Sequence, residues 1–398
     1  MRRAAFLFSG GCGDLRGCTN AGYEGVYAAN HDEAACDTAR ANWPRMRVQQ
    51  CDINNLDMRS LPRAEVLVGS PICWEVTPAG GRAAPQAQTA LEVGDGLPRP
   101  EPADFSRTRM TAWDPIRYAE VHRPLAYIGE NVPDFGMKRN QALFDAWLRV
   151  WDALDYIPVL ASVNAAHIHG DTFQRLPQLR DRLLWAMIRK DIGRVPDLRP
   201  RPDAMCQNCG PVQGVQHWTT PAKARRVGEY GDQYHYVCPT PRCHRRVQPI
   251  VRGIGDIIDP TTRGHRFGDG RQGRGRVPYV EATRARVRMG LEQLHGKPFI
   301  VTSRNHGGAT SLDAPIGTLS AQGGNHHYLA RPGPDLTVDE CEYRPLNLTE
   351  KGRAQGFPAH HVLAGGETEQ RIQIGNAVPV NVATWAALRV RACLEAAA

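Results

Sequence analysis

Nowhere in this 398-residue chain is there a run of the roughly 18 apolar residues that a membrane-spanning helix needs, so the sequence offers no helical membrane span. A secretory leader is not expected either. The opening segment MRRAAFLFSGGCGD carries two arginines, but its apolar stretch is too short for a signal peptide and runs straight into a glycine-rich turn. A cytoplasmic location is expected. Eleven cysteines, an odd number, without a secretory leader argue against a disulfide framework and for reduced thiols, metal ligation or catalysis. No internal repeat is visible, which removes the solenoid and propeller architectures.

What is present fits an ordinary globular protein, 41% hydrophobic and 23% charged, too long for one hydrophobic core and expected to fold as two domains or one enlarged by insertion. The charge is uneven. Of a formal net charge of +8, residues 189–290 hold 20 Arg plus Lys against 9 Asp plus Glu, so the rest of the chain is slightly acidic. A basic middle on such a body is the electrostatic footprint of a polyphosphate-binding module, with a solvated charged face as the plain alternative.

Up to about residue 190, short apolar runs alternate with helical stretches, the pattern of a parallel sheet with crossover helices. AAFLFS, VYAA, EVLVGS, LAYIGENV and RLLWAMIRK read as strands, and EAACDTARANW as a helix ended by Pro44. Residues 81–108 read as a mobile loop. From 191 the composition turns to Arg, Pro and Gly with four clustered cysteines, and helical pattern resumes at 281–294. The expected organisation is a doubly wound, Rossmann-like α/β sheet over 1–190, an insert over 191–339, and a return to the first domain over 340–398.

Phe8, Ser9, Gly10, Gly11, Cys12 and Gly13 form a glycine-rich turn between strand and helix, where backbone amides can approach a nucleotide-like ligand or glycines can serve packing. Asn30 and Asp32 end the second strand, where a polar group can reach ribose hydroxyls. Asp52 and Ile53 follow a third strand, where a carboxylate can accept from an adenine amino group. Cys73, after Ser70, Pro71 and Ile72, sits at a strand tip, where thiols do chemistry more readily than in a core. Glu130 repeats that placement on another strand. Arg180 and Arg182 lie two apart and share one face of an extended segment.

Taken in order, these motifs resemble the cytosine-5 DNA methyltransferases over nearly all of the chain outside about 191–295. The Glu-Asn-Val motif is intact as Glu130, Asn131 and Val132, and the Gln-x-Arg-x-Arg motif as Gln178, Arg180 and Arg182. Arg353, Gln355, Gly356, Phe357 and Pro358, then Gly375, Asn376, Ala377 and Val378, match the final motifs. Departures are Cys12 for glycine, Asn30 for an acidic residue, Ile72 for proline and Trp74 for glutamine. The resemblance implies a methyltransferase fold, S-adenosylmethionine as cofactor, and Cys73 as the nucleophile that adds to cytosine C6. It also gives Glu130 the exocyclic amino group and N3, Arg180 the carbonyl side of the base, and Arg182 the local backbone. The target nucleotide must leave the duplex, since C5 and C6 are not reachable inside it. The protein is expected to act as a monomer.

Cys206, Cys209, Cys238 and Cys243 form a C-x2-C then C-x4-C set, a spacing suited to one structural zinc ion. A similar cysteine ribbon is found in the recognition region of some actinobacterial and phage members of that family. Arg245 and Arg246 are candidate phosphate contacts, and Arg271, Arg274 and Arg276 candidate base contacts. His306, His326 and His327 read more readily as part of polar glycine-rich turns than as ligands. Three other functions stay open on sequence alone: an RNA cytosine methyltransferase, a catalytically silent DNA-binding relative, and transfer of a group larger than methyl.

Overall fold

The fold follows from where continuous apolar runs occur. A computed structural model describes residues 1–72, 91–93, 97–99, 108–137, 140–220, 227–271, 276–303, 307–321 and 325–397. The expected nucleophile Cys73, with Trp74, lies outside the described residues, as do Arg274 and His306.

The largest sheet has seven strands: β1 (Arg2–Leu7), β2 (Tyr23–Asn30), β3 (Arg47–Gln50), β4 (Val66–Gly69), β5 (Ala126–Asn131), β6 (Tyr156–Asn164) and β7 (Asp181–Arg189). Their spatial order is β3-β2-β1-β4-β5-β7-β6. The first five pair in parallel, while β7 runs antiparallel to both β5 and β6. The near-continuous burial of β4, β5 and β7 is what a sheet covered on both faces demands. Helices α1 (Gly13–Asn20), α2 (Glu33–Asn42), α3 (Asp114–His122) and α4 (Gln141–Ala153) are the crossovers. Asp32 caps α2 by accepting from the Ala35 N–H at 2.7 Å, and Pro44 stands just beyond its end, as expected. One face of the sheet carries an aromatic cluster of Tyr127, Phe135, Phe144, Trp147, Trp151 and Trp185.

A second sheet is antiparallel, with β8 (Asp203–Cys206), β9 (Gly210–Gln213), β10 (Val215–Trp218), β11 (Tyr234–Val237) and β12 (Arg246–Pro249) in the order β9-β8-β12-β11-β10. The third holds β13 (His265–Arg266), β14 (Phe299–Thr302), β15 (Ala309–Ser311), β16 (His327–Arg331) and β17 (Glu342–Pro345) in the order β13-β17-β16-β14-β15. Helix α5 (Glu281–Leu294) packs on it. This sheet corrects the reading of His327 as part of a polar glycine-rich turn, because that residue opens β16. The stretch read as a mobile loop contains a short antiparallel pair, Leu91–Val93 with Leu97–Arg99.

Helices α6 (Leu348–Ala354), α7 (Glu367–Asn376) and α8 (Val380–Glu395) follow. A Cβ on Gly17 would sit 2.4 Å from that of Ala383, so glycine is what allows α1 and α8 to pack this closely. The last helix thereby covers the sheet next to its first turn. Among the described residues, no helix is long and apolar enough to cross a membrane.

Candidate active site and cysteine cluster

Strand order reverses between β1 and β4, and the carboxyl ends beside such a switch point form a crevice that binds ligands. Phe8 and Cys12 there adopt left-handed backbone, φ 67° and 60°, to turn the chain from β1 into α1. The glycines in between serve different ends. A Cβ on Gly11 would lie 2.7 Å from the Gln373 carbonyl oxygen and one on Gly13 2.0 Å from that of Val378, so both are required by packing of the C-terminal segment. Gly10 would meet only the Asn376 Cβ at 3.9 Å, which leaves room beside it for a ligand.

Polar side chains lock this turn. Ser9 Oγ donates to Asp14 Oδ2 at 2.7 Å, and the other Asp14 oxygen accepts from the Leu15 N–H. Burial raises the Asp14 pKa, and the Ser9 and Leu15 hydrogen bonds oppose that shift. Asn30 Nδ2 donates to the Ser9 carbonyl at 2.8 Å while its oxygen accepts from the Asp32 N–H, so the side chain joins two loops. The Cys12 thiol is buried, and burial pushes its pKa well up, which leaves the backbone as the part of Cys12 able to face a ligand. Asp32 and Asp52 are exposed at the ends of β2 and β3, and Asp52 accepts from the Asn54 N–H and Asn55 Nδ2. Ile53 is buried beside it.

The ends of β4 and β5 are tied together. The Glu130 N–H donates to Ser70 Oγ at 3.2 Å, Asn131 Nδ2 to the Pro71 carbonyl at 3.0 Å, and the Ile72 N–H to Thr111 Oγ1 at 3.0 Å. Glu130 is buried, 3.0 Å from Arg182 Nε, and burial raises its pKa against the pull of Arg182 and Arg180. That favours a protonated carboxyl able to donate.

The two arginines part company. Arg182 sits on Glu130 and donates to the Asp181 carbonyl. Arg180 is buried and gives its terminal nitrogens to three carbonyls, of Leu319 at 2.7 Å, Gly375 at 2.7 Å and Ala377 at 3.1 Å. This differs from the expected division of labour, in which Arg180 faces the base and Arg182 the backbone. Gln178 and Gln355 bond side chain to side chain, and Gln178 also accepts from the Leu319 N–H, so this segment, the stretch between β15 and β16 and the end of α6 meet at one buried polar joint. Asn376 is exposed and Ala377 buried.

Away from this crevice, the sulfurs of Cys206, Cys209, Cys238 and Cys243 lie within 4.8 Å of one another, with Cys206 and Cys243 3.7 Å apart. Zinc–sulfur bonds of about 2.3 Å in a tetrahedron put sulfurs roughly 3.8 Å apart. Backbone N–H groups of Asn208 and Cys209 hold the Cys206 thiol down to about 7. Left-handed backbone at Gly210, Arg242 and His244 forms the two knuckles. His327 is buried against Thr302, and neither it nor His326 belongs to a metal-type cluster among the described residues.

Sequence reasoning misses Asp14, Thr111 and the Gln178–Gln355 joint. An acidic residue in the first turn of α1 is a usable signal for Asp14. Thr111 lies 39 residues from its partner and leaves none.

The sequence pattern of the C-5 cytosine-specific DNA methylases matches residues 3–223 and 244–390. The type II methyltransferase M.PspPI of Psychrobacter sp. (strain TA137) is 25% identical over 385 residues, 95% of this chain and 76% of that protein. M.Sau96I of Staphylococcus aureus is 24% identical over 383 residues, covering 95% and 73%. Spodoptera frugiperda DNMT2 superposes with a TM-score of 0.54 at 12% identity, covering 99% of this chain and all of the other. A prophage-encoded DNA modification methyltransferase from E. coli gives 0.53 at 14%, with 99% and 100% covered.

Proposed function

Since the chain belongs to the C-5 cytosine-specific DNA methylase family, we infer that it methylates C5 of cytosine in DNA from S-adenosylmethionine, and we propose a role for each site residue. The observation that carries the reading is the joining of two strand ends, where the Ser70 hydroxyl and the Pro71 carbonyl, on the segment leading to Cys73, accept from the Glu130 N–H and Asn131 Nδ2.

Cofactor binding falls to the crevice at the switch point. Room beside Gly10, amides of the turn from Phe8 to Gly13, carboxylates of Asp32 and Asp52, the apolar wall of Ile53, and Ser70, Asn376 and Ala377 suit a nucleoside sulfonium. Asn30 acts by fixing the turn, since its side chain is spent on Ser9 and Asp32. When bound, the cofactor supplies an electrophilic methyl group.

In the target pocket, the Cys73 thiolate adds to C6 of a cytosine turned out of duplex DNA, making C5 nucleophilic enough to take the methyl group. A protonated Glu130 donates to N3 so that negative charge does not build up in the ring. Arg182, held on Glu130, faces the carbonyl side of the base, and Arg180 holds the C-terminal segment in place. Loss of the C5 proton and expulsion of the thiolate end the cycle.

Residues 191–339 are proposed as the recognition domain, inserted between the two parts of the catalytic domain, 1–190 and 340–398. One zinc ion on Cys206, Cys209, Cys238 and Cys243 would hold its ribbon, with Arg245 and Arg246 on phosphates and Arg271 and Arg276 near the bases. The protein is proposed to act as a monomer in the cytoplasm of a bacterial or phage-infected cell, and a part as the modification partner of a restriction enzyme fits the type II names of the relatives.

The test is chemical. DNA carrying 5-fluorocytosine at the target cannot lose its C5 substituent as a proton, so the wild type should form a covalent adduct and Cys73→Ser should form none while still binding DNA. An active wild type that leaves no adduct would overturn the role of Cys73. Bisulfite sequencing of DNA from expressing cells identifies the base and its sequence context.

A further inference from the structure

We propose that Thr111 is a positioning residue for the nucleophile loop, acting through the hydrogen bond it accepts from the Ile72 N–H, and that Ile72 and Thr111 work as a pair. The inference rests on the reading of Cys73 as nucleophile.

Residues 70–72 leave β4 in three steps, and each is tied to a different partner. Ser70 Oγ accepts from the Glu130 N–H, the Pro71 carbonyl from Asn131 Nδ2, and the Ile72 N–H goes to Thr111 Oγ1 at 3.0 Å. The first two partners belong to β5, on the same sheet. Thr111 belongs instead to a turn of 3-10 helix (Thr108–Ala112), so its bond ties this segment to the chain that returns after the following 35 residues.

The support of Thr111 is rigid. Trp147 Nε1 donates to the Ala112 carbonyl at 2.7 Å, and Trp147 stands in the aromatic cluster under the sheet. Two residues further on, Asp114 pairs with Arg117, whose guanidinium also reaches the carbonyl of Asn54 at 2.9 Å, beside Asp52 and Ile53. Thr111 itself is buried, so its hydroxyl holds a defined place. The same turn thus touches the residue before the nucleophile and the wall proposed for the cofactor.

The chemistry of position 72 makes the pairing specific. A proline there has no N–H and a fixed φ, so it needs no acceptor and restricts the backbone by itself. Isoleucine brings both a donor that must be satisfied on leaving water and a freer φ. Thr111 supplies the acceptor and, through it, the restraint that the ring would have given.

The measurement is a double-mutant cycle in the full-length protein, reading the single-turnover methylation rate and the rate of adduct formation on 5-fluorocytosine DNA. Thr111→Val, which keeps the shape and removes the acceptor, should slow both rates by about 10-fold, equivalent to about 1.4 kcal/mol, with DNA and cofactor affinity within about 2-fold. Thr111→Ser should recover most of the loss. In an Ile72→Pro background, where no N–H exists, adding Thr111→Val should change the rates less than about 2-fold. Equal losses in both backgrounds would overturn the pairing, as would a Thr111→Val enzyme of unchanged rate alongside an inactive Cys73→Ser. A fall in thermal stability matching the rate loss, together with weakened DNA binding, would make Thr111 merely structural and also overturn it. Cys73→Ser that still methylates would overturn the nucleophile reading and this one with it.

Discussion

The seven-stranded sheet and the cysteine ribbon are organised by opposite means. The first buries two apolar layers, one of them with Trp147 packed against both Trp151 and Trp185, and its central strands β4, β5 and β7 are buried almost end to end. The second has seven buried apolar residues, Ala204, Cys206, Trp218, Tyr234, Tyr236, Cys238 and Val247, two of them cysteines of the cluster, in a basic part of the chain. Area burial alone stabilises a domain only when it exceeds the entropy of ordering it, roughly 1 to 2 kcal/mol per residue for the backbone. The seven-stranded sheet meets that demand with side chains, whereas the ribbon, whose five strands are all four residues long, brings four thiols together.

Metal removal should therefore split the molecule most deeply. Structural zinc contributes on the order of 10 kcal/mol or more to the folding of small ribbons. A chelator, or Cys206→Ser, should abolish DNA binding while S-adenosylmethionine binding by calorimetry stays within about 2-fold. Elemental analysis finding no metal in freshly purified, DNA-binding protein would end this contrast.

Glu130→Gln strikes the other region. It should cut the single-turnover rate about 10²- to 10⁴-fold with DNA affinity retained. A carboxyl is protonated below its pKa, so the raised value for Glu130 extends the protonated form upward in pH. The wild-type rate should fall as pH rises through that value, and the fall should be missing in Glu130→Gln. A falling limb of the same position in both enzymes would move the donor elsewhere.

Arg180→Met should cost about 3 to 5 kcal/mol of stability, because three carbonyls lose a buried charged donor. Arg182→Lys should instead slow methylation and leave the melting temperature nearly in place. Chemical denaturation of the two variants side by side tests the exchange of roles.

Asp181 is the seam between the regions, accepting from the Tyr230 N–H at 3.0 Å, and burial pushes its pKa up to about 6. A carboxyl whose folded value lies above its ordinary one near 4 lends stability below pH 4 and loses it as pH rises through 6. Asp181→Asn should thus stabilise the protein at pH 7.5 by about 1 to 2 kcal/mol and be neutral at pH 4. Thermal melts at both values decide it.

The smallest effect belongs to the knuckle. Arg245→Ala and Arg246→Ala should weaken binding to every DNA alike and lower the salt slope by about one each. A change confined to one DNA sequence would make them base readers instead.

Much of the main sheet is legible in the amino-acid order alone. Strands buried on both faces show as apolar runs, which is why four parallel strands of that sheet and the antiparallel β7 can be read directly. The helix at 281–294 is equally plain from its pattern. The third sheet is hidden, because its strands are two to five residues long, interrupted by Gly, His and Pro, and partnered across tens of residues. Buried and half-buried positions mix there without alternation, so periodicity has nothing to report.

The sequence by itself determined the chemistry: which residues are thiol, carboxyl and guanidinium, the order in which strands deliver them, and the paired cysteines. Tertiary structure alone decided their surroundings. Arg180 and Arg182 lie two apart with the same side chain, yet one is enclosed by three carbonyls and the other meets a carboxyl. Gly10 and Gly11 are adjacent and identical, and only the second is pressed against Gln373. Ile72 acquires a partner 39 residues away. Residue type sets what a group can donate or accept, but which donor it meets depends on long-range packing that no local pattern encodes.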